Sequence, residues 1–212
     1  MKEDNMIRKF IIGMVLLLGV VSPASAGWFQ VTGEDETSVS VHYTGVVEPV
    51  DLWLWDLLSD RVGDRVMLLT IDSGGGDAYA GIGLYWRMEA HPRLVTIAGS
   101  EVGAWSAAAL MWTAGDHQLI AETGAVWFHA AFCQWDPEPP VEIGCDTTDF
   151  QRHLIRILDN AGYYGAVFNA YLNVVQETYG TDGWIGVTND GWEMRDTTDW
   201  WFKPFNKDWI MR

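Results

Sequence analysis

Leu94-Val95-Thr96-Ile97-Ala98-Gly99-Ser100-Glu101-Val102-Gly103-Ala104-Trp105-Ser106-Ala107-Ala108-Ala109-Leu110 is the stretch on which the fold turns. Its first five residues are an apolar run of the length of a short buried strand. A turn begins at Gly99-Ser100, and the small, uncharged segment 104–114 then has helical composition. Ser106 therefore lies where strand and turn hand over to a buried helix. Backbone N–H groups at a helix start have no partner inside the helix, and the dipole there favours negative charge. Downstream, Ala125-Val126-Trp127-Phe128-His129 is a second apolar run, ending on an imidazole. Serine and imidazole make a nucleophile and its base if the fold joins them. A serine at a helix start serves equally well as a cap.

A second junction lies upstream. Residues 65–71 read as a strand, whose apolar end Leu68-Leu69-Thr70-Ile71 runs through Asp72 into Ser73-Gly74-Gly75-Gly76-Asp77. A helix over 78–89 follows, with Tyr79, Ile82, Tyr85 and Trp86 as its apolar face. Consecutive glycines are costly in chain entropy and belong where backbone takes positive φ or must approach something closely. A plain tight turn between strand and helix accounts for them too. A phosphate-cradling loop does not, because no Lys-Ser or Lys-Thr follows the glycines.

The surrounding chain alternates between the two periods. Ser38-Val39-Ser40-Val41-His42-Tyr43 alternates polar and apolar residues as a half-buried strand does, and Leu52, Trp55 and Leu58 recur at helical spacing over 51–58. Gln118-Leu119-Ile120-Ala121 reads as a strand. Thr147-Thr148-Asp149 supplies capping chemistry for a helix carrying Phe150, Leu154 and Leu158. A further helix over 165–179 presents Val167, Tyr171, Val174 and Val175. Strand and helix in alternation predict an α/β fold of βαβ units around a largely parallel sheet. His42 on a strand, His91 before Pro92, His117 in a polar turn and His153 on a helix read as structural or exposed residues.

Lys2, Arg8 and Lys9 precede an apolar run over 10–21, and Ser22-Pro23-Ala24-Ser25-Ala26 ends it. A basic start, about a dozen apolar residues and an Ala-x-Ala ending describe a secretory signal peptide cleaved after Ala26. We therefore expect residues 1–26 to be a leader and 27–212 to be one domain, secreted or periplasmic. The formal net charge of −16 becomes −17 once the leader's three cations and two acids are removed. Such acidity argues against nucleic acid and anionic membrane surfaces as partners. Export also puts Cys133 and Cys145, the only cysteines, in an oxidising space, where a disulfide across the Pro-rich segment between them is expected. Two further ligands at matching spacing are missing, so a zinc site is not expected, and no cofactor is called for. The 13 tryptophans are many, enough for some to line a groove or a subunit contact beyond those the core takes.

Together these junctions resemble the proteolytic subunit of the Clp protease and its relatives of crotonase-like fold. The matching parts are Ser73-Gly74-Gly75-Gly76, Ala80-Gly81, Ala104-Trp105-Ser106, Thr113-Ala114-Gly115 and Val126-Trp127-Phe128-His129, within roughly 38–194. The family's proline is Gly74 here, and the glycine it has four residues before the nucleophile is Val102, with Gly103 one place late. The resemblance implies repeated β-β-α and βαβ units, and a serine peptidase with Ser106 as nucleophile and His129 as base. It nominates Asp190, two residues before Trp192 where a final helix or turn would open, as the acid, with Asp182, Asp196 and Asp199 as alternatives. It implies an oxyanion hole at the N–H groups of Gly76 and Ala107, and binding of extended peptide along Gly74, Gly75 and Asp77. It also implies a homo-oligomer acting on peptide or protein, and a role for the cysteine segment in the wall of the substrate groove. An ATP-driven unfoldase is not expected for an exported protein. Two rival readings are a serine–lysine hydrolase like signal peptide peptidase A, for which the mature chain offers Lys203 and Lys207, and a non-catalytic binding or assembly protein on the same fold.

Overall fold

The computed structural model describes residues 26–129, 148–179, 183–188, 191–196 and 202–204. Residues 1–25, on which the expected leader falls, both cysteines, Asp182, Asp190, Asp199 and Lys207 lie outside them.

The first half of the chain gives β1 (Trp28–Glu34), β2 (Ser38–Thr44), α1 (Val50–Val62), β3 (Val66–Asp72), α2 (Ala78–Glu89) and β4 (Leu94–Ala98). Then come β5 (Ala104–Trp105), α3 (Ala107–Thr113), β6 (His117–Ile120) and β7 (Ala125–Phe128). The remainder gives α4 (Thr148–Asn160), α5 (Gly165–Tyr179), β8 (Gly183–Thr188), β9 (Gly191–Asp196) and β10 (Phe202–Pro204). One sheet runs β1-β2-β3-β4-β6, with every pairing parallel except β1 with β2. This is the mostly parallel, helix-flanked sheet that the alternation of periods predicts. A second sheet runs β10-β9-β8-β7-β5 and is antiparallel except where β5 meets β7.

Alternation on the strands sets what is buried. Met67, Leu69 and Ile71 of β3 are fully enclosed, as are Val39, Val41 and Tyr43 of β2. Leu84, Tyr85 and Met88 of α2 and nearly the whole of α3 join the same core. Each such large apolar side chain contributes about 1.5–3 kcal/mol through removal from water. Helices α2 and α3 lie unusually close. A Cβ added to Gly81 would stand 2.9 Å from both the Cβ and the carbonyl oxygen of Ala107, so Gly81 lets α2 fix the start of α3.

Three sequence expectations need correction. The segment 104–114 is not one helix: it is a two-residue strand, then Ser106, then α3. The stretch after residue 190 opens a strand rather than a helix or turn. On α5 the buried stripe is Phe168, Leu172 and Val175, while Val174 is 56% exposed; the side chains of Val167 and Tyr171 lie outside the described residues. That helix is apolar on more than one face, and the layer packed against it decides which face is buried.

Candidate active site

Three segments meet at the C-terminal ends of β3 and β7. The first leaves β3 through Asp72 and Ser73. Ser73 pairs with Ala104 across an isolated bridge: its N–H donates to the Gly103 carbonyl at 2.8 Å, and the Trp105 N–H donates to its carbonyl at 3.0 Å. The Ser73 hydroxyl donates to the Gly45 carbonyl at 2.6 Å and accepts from the Gly75 N–H at 3.1 Å. The strand end and the approach to Ser106 are thereby held together before the glycines begin.

The glycines then do different jobs. Gly75 has φ +95° and lies against Ser106: a Cβ there would be 2.6 Å from the Ser106 Cβ and 2.7 Å from the Trp105 carbonyl oxygen. Gly76 lies against Val47, where a Cβ would meet backbone at 2.3 Å. The Val47 N–H donates to the Gly75 carbonyl at 2.9 Å, and the Asp77 N–H donates to the Val47 carbonyl at 2.8 Å. In such a parallel bridge the N–H of the central residue, Gly76, points away from Val47. Gly74 faces open space. Asp77 is spent on α2: its carboxylate accepts the Ala80 N–H at 2.7 Å and its carbonyl accepts the Gly81 N–H at 3.0 Å. Its carboxylate thus caps α2, while its own N–H is taken by Val47.

The second segment carries Ser106. Its N–H donates to the Trp127 carbonyl at 2.8 Å, and its backbone sits at φ 55°, ψ −121°. Among the described residues it is the only non-glycine with positive φ. Such a sparsely populated positive-φ conformation costs an L-residue about 1–3 kcal/mol, so packing on both sides must hold it there. It also explains the break in the expected helix, since α3 begins at the next residue. The third segment is β7, whose end delivers His129. The His129 Nε2 lies 2.6 Å from the Ser106 Oγ, both residues being half-buried. With Nε2 unprotonated, the hydroxyl donates to it, the arrangement a nucleophile and its base need. Aromatic rings surround the pair. The centroids of His129 and Trp184 are 4.3 Å apart, those of Trp105 and Trp184 5.4 Å, and those of Trp105 and Trp127 5.9 Å.

Sequence reasoning passed over Asp72. Its Oδ1 accepts three successive backbone N–H groups, those of Glu101, Val102 and Gly103, at 3.0, 2.8 and 3.0 Å. Its Oδ2 lies 2.9 Å from the His42 Nε2. Gly99 is a glycine because a Cβ there would collide with this carboxylate. Burial pushes the Asp72 carboxyl up, but the hydrogen bonds outweigh it and hold it below the usual carboxylate range. Asp72 thus anchors the turn that leads into Ser106. The one available signal was an acid closing an otherwise apolar strand.

The register of the second sheet bears on the acid. β7 and β8 are antiparallel, with Ala125 opposite Thr188 and Phe128 opposite Ile185. Thr188 in turn faces Gly191 on β9. Thr188 and Gly191, the described residues flanking 189–190, therefore sit at the Ala125 end of β7. Four residues of strand, about 13 Å, separate that end from His129. Trp184 and Gly183 sit at the His129 end. The side chains of Asp196 and Lys203 lie outside the described residues.

No family model and no curated protein sequence matches the chain. Solved structures do. A mutant of the 1510-N membrane-bound stomatin-specific protease superposes with a TM-score of 0.54 at 10% identity, over 67% of this chain and 72% of that one. Another mutant of the same protease, in complex with a substrate peptide, gives 0.54 at 11% identity over 67% and 68%. A mutant of ClpP1 from Listeria monocytogenes covers 72% of this chain and 84% of its own at 14% identity, with a TM-score of 0.47. At these identities the likeness is one of architecture: the chain shares the α/β fold of the stomatin-specific protease, in keeping with the fold its sequence leads one to expect.

Proposed function

We propose that the chain is an exported serine peptidase. The observation that carries this reading is the 2.6 Å approach of the Ser106 Oγ to the His129 Nε2 on a strained backbone, beside a glycine edge. Ser106 Oγ attacks the peptide carbonyl as His129 takes its proton, and His129 returns that proton to the leaving amine. Water then attacks the acyl-enzyme by the same route. The developing oxyanion is held by the N–H groups of Gly76, which points away from Val47, and Ala107, the first residue of α3. Extended peptide lies along Gly74–Gly76 as an added strand, on the side away from Val47. That a protease of the same fold is known with a substrate peptide supports the reading.

The acid on His129 is Asp182 rather than Asp190. The support is register: Gly183, which follows Asp182 in the chain, is at the His129 end of β8, and Gly191, which follows Asp190, is at the other. The base is an imidazole, so a lysine from the tail is not needed. The leader directs export, the Cys133–Cys145 disulfide stiffens the segment after His129, and the protein assembles with copies of itself to hydrolyse peptides without an ATP-driven partner. A fluorophosphonate probe tests the chemistry. The wild type takes the label and Ser106→Ala, equally well folded, does not; equal labelling of both, or hydrolysis by the variant, rejects the assignment. Intact mass of the exported protein gives the cleavage site, and a chain retaining residues 1–26 rejects cleavage after Ala26; a protein found only in the cytoplasm rejects export.

A further inference from the structure

We propose that Trp184 is a positioning residue for His129: its indole holds the imidazole turned toward Ser106 and stabilises the cation that His129 becomes. This rests on the hydrolase reading and adds to it a group outside the serine, the base, the acid and the oxyanion donors.

Placement comes from the strand ladder. Phe128 faces Ile185, so Trp184 stands beside His129 at the end of β7, with ring centroids 4.3 Å apart and planes inclined at 53°. The indole is braced from behind. Trp105 meets it at 5.4 Å with planes at 63°, and Trp105 is itself fixed by its Nε1–H donating to the Val102 carbonyl at 2.6 Å. Trp127, paired with Trp105 on the neighbouring strand, also packs against it, at 5.9 Å. Gly186, opposite Trp127 on β8, leaves room for this arrangement, because a Cβ there would run into the Trp127 ring. A chain of packed rings thus runs from the turn before Ser106, through Trp105 and Trp184, to the base. Trp184 is only half-buried, whereas the large side chains of the core are enclosed, so packing the interior is not its main use.

The chemistry follows from the charge of the base. Neutral imidazole gains little from an aromatic neighbour beyond contact. Imidazolium within about 6 Å of an indole ring is attracted to its π electrons. His129 is a cation only after it has taken the serine proton, so the attraction grows along the reaction coordinate. An interaction stronger in the transition state than in the bound substrate raises the rate of the chemical step and leaves binding alone.

Trp184→Leu removes the π face, Trp184→Met fills the space with a flexible apolar chain, and Trp184→Phe keeps a ring. Each is titrated with the fluorophosphonate probe to separate its maximal inactivation rate from its apparent affinity, and thermal unfolding checks the fold. The expected result is an inactivation rate about tenfold lower in Trp184→Leu and Trp184→Met, apparent affinity within about twofold, and recovery to within about threefold in Trp184→Phe. Leu or Met variants that label as fast as wild type overturn the inference, as does a Phe variant as slow as they are. A loss confined to affinity overturns it too, making Trp184 a wall of the substrate groove. These outcomes leave the hydrolase reading standing. A wild type that takes no label at Ser106 refutes that reading and this inference together.

Discussion

Replacing Asp72 tests whether a buried carboxylate shapes the serine turn. Asp72→Ala deletes the acceptor of three N–H bonds at 2.8–3.0 Å and the partner of the His42 Nε2 at 2.9 Å. Glu101 and Val102 are exposed, so their amides regain water and each lost bond costs about 1 kcal/mol. Gly103 is buried, and its stranded N–H costs about 1–3 kcal/mol. The total is about 3–5 kcal/mol. Asp72→Asn keeps one oxygen as acceptor for the three N–H groups but loses the charge and puts an amide NH2 in place of the oxygen facing His42, so about 1–2 kcal/mol is expected. Urea unfolding followed by circular dichroism measures both, and probe labelling reads the site. Ser106 follows Gly103 by only three residues, so Asp72→Ala should also label at least tenfold more slowly, with Asp72→Asn between it and wild type. The same group gives a pH dependence. Its carboxyl titrates lower in the folded chain than unfolded, so its contribution is complete above the unfolded value of about 3.9 and is lost as pH falls through the folded value. Acid should therefore destabilise the wild type more than Asp72→Asn. An Asp72→Ala protein within 1 kcal/mol of wild type, labelling at the wild-type rate, would refute the anchoring argument.

The glycine loop offers a matched pair: Gly75→Ala forces a Cβ against Ser106 and the Trp105 carbonyl at positive φ, and should cost about 2–5 kcal/mol and abolish labelling. Gly74→Ala, with nothing within 4 Å of its new methyl, should change stability by less than about 0.5 kcal/mol. For the acid, Asp182→Asn should lower the hydrolysis rate by about 10²–10⁴ with the fold intact and Asp190→Asn by less than about threefold; the reverse order would restore Asp190. Gly186→Ala should cost about 1–3 kcal/mol by driving Trp127 off the sheet, measurable by thermal unfolding, and no loss would mean that the ring moves aside freely.

Much of the parallel sheet was legible because its signals are local. The bounds of α2 and β4 follow from where apolar periodicity starts and stops, and the structure returns Ala78–Glu89 and Leu94–Ala98 unchanged. Ser106 and His129 were legible as a pair because one stands where a strand and turn hand over to a helical segment and the other closes an apolar run. What failed was anything that depends on a neighbour. Nothing in the alanine-rich stretch 104–114 announces that Ser106 takes φ 55°, because that conformation is imposed by Gly75, Trp127 and α2 from outside the segment. Asp72 and His42 were each read as unremarkable strand residues. Their meeting needs the parallel pairing that sets Thr44 opposite Asp72, and no periodicity encodes that.

The acid shows the same limit most sharply. Asp182-Gly183-Trp184 and Asp190-Gly191-Trp192 are identical triplets eight residues apart, and each offers an aspartate two residues before an aromatic. Spacing cannot choose between them. An antiparallel ladder can, because moving along one strand moves the partner backwards. Fixing Phe128 opposite Ile185 carries the start of β8 to His129 and its end to Ala125. Thr188 and Gly191, which flank residues 189 and 190, then lie about 13 Å along the strand from the position of His129. A family motif narrows the acid to a few residues, strand register favours Asp182 among them, and the paired Asp182→Asn and Asp190→Asn variants test that choice.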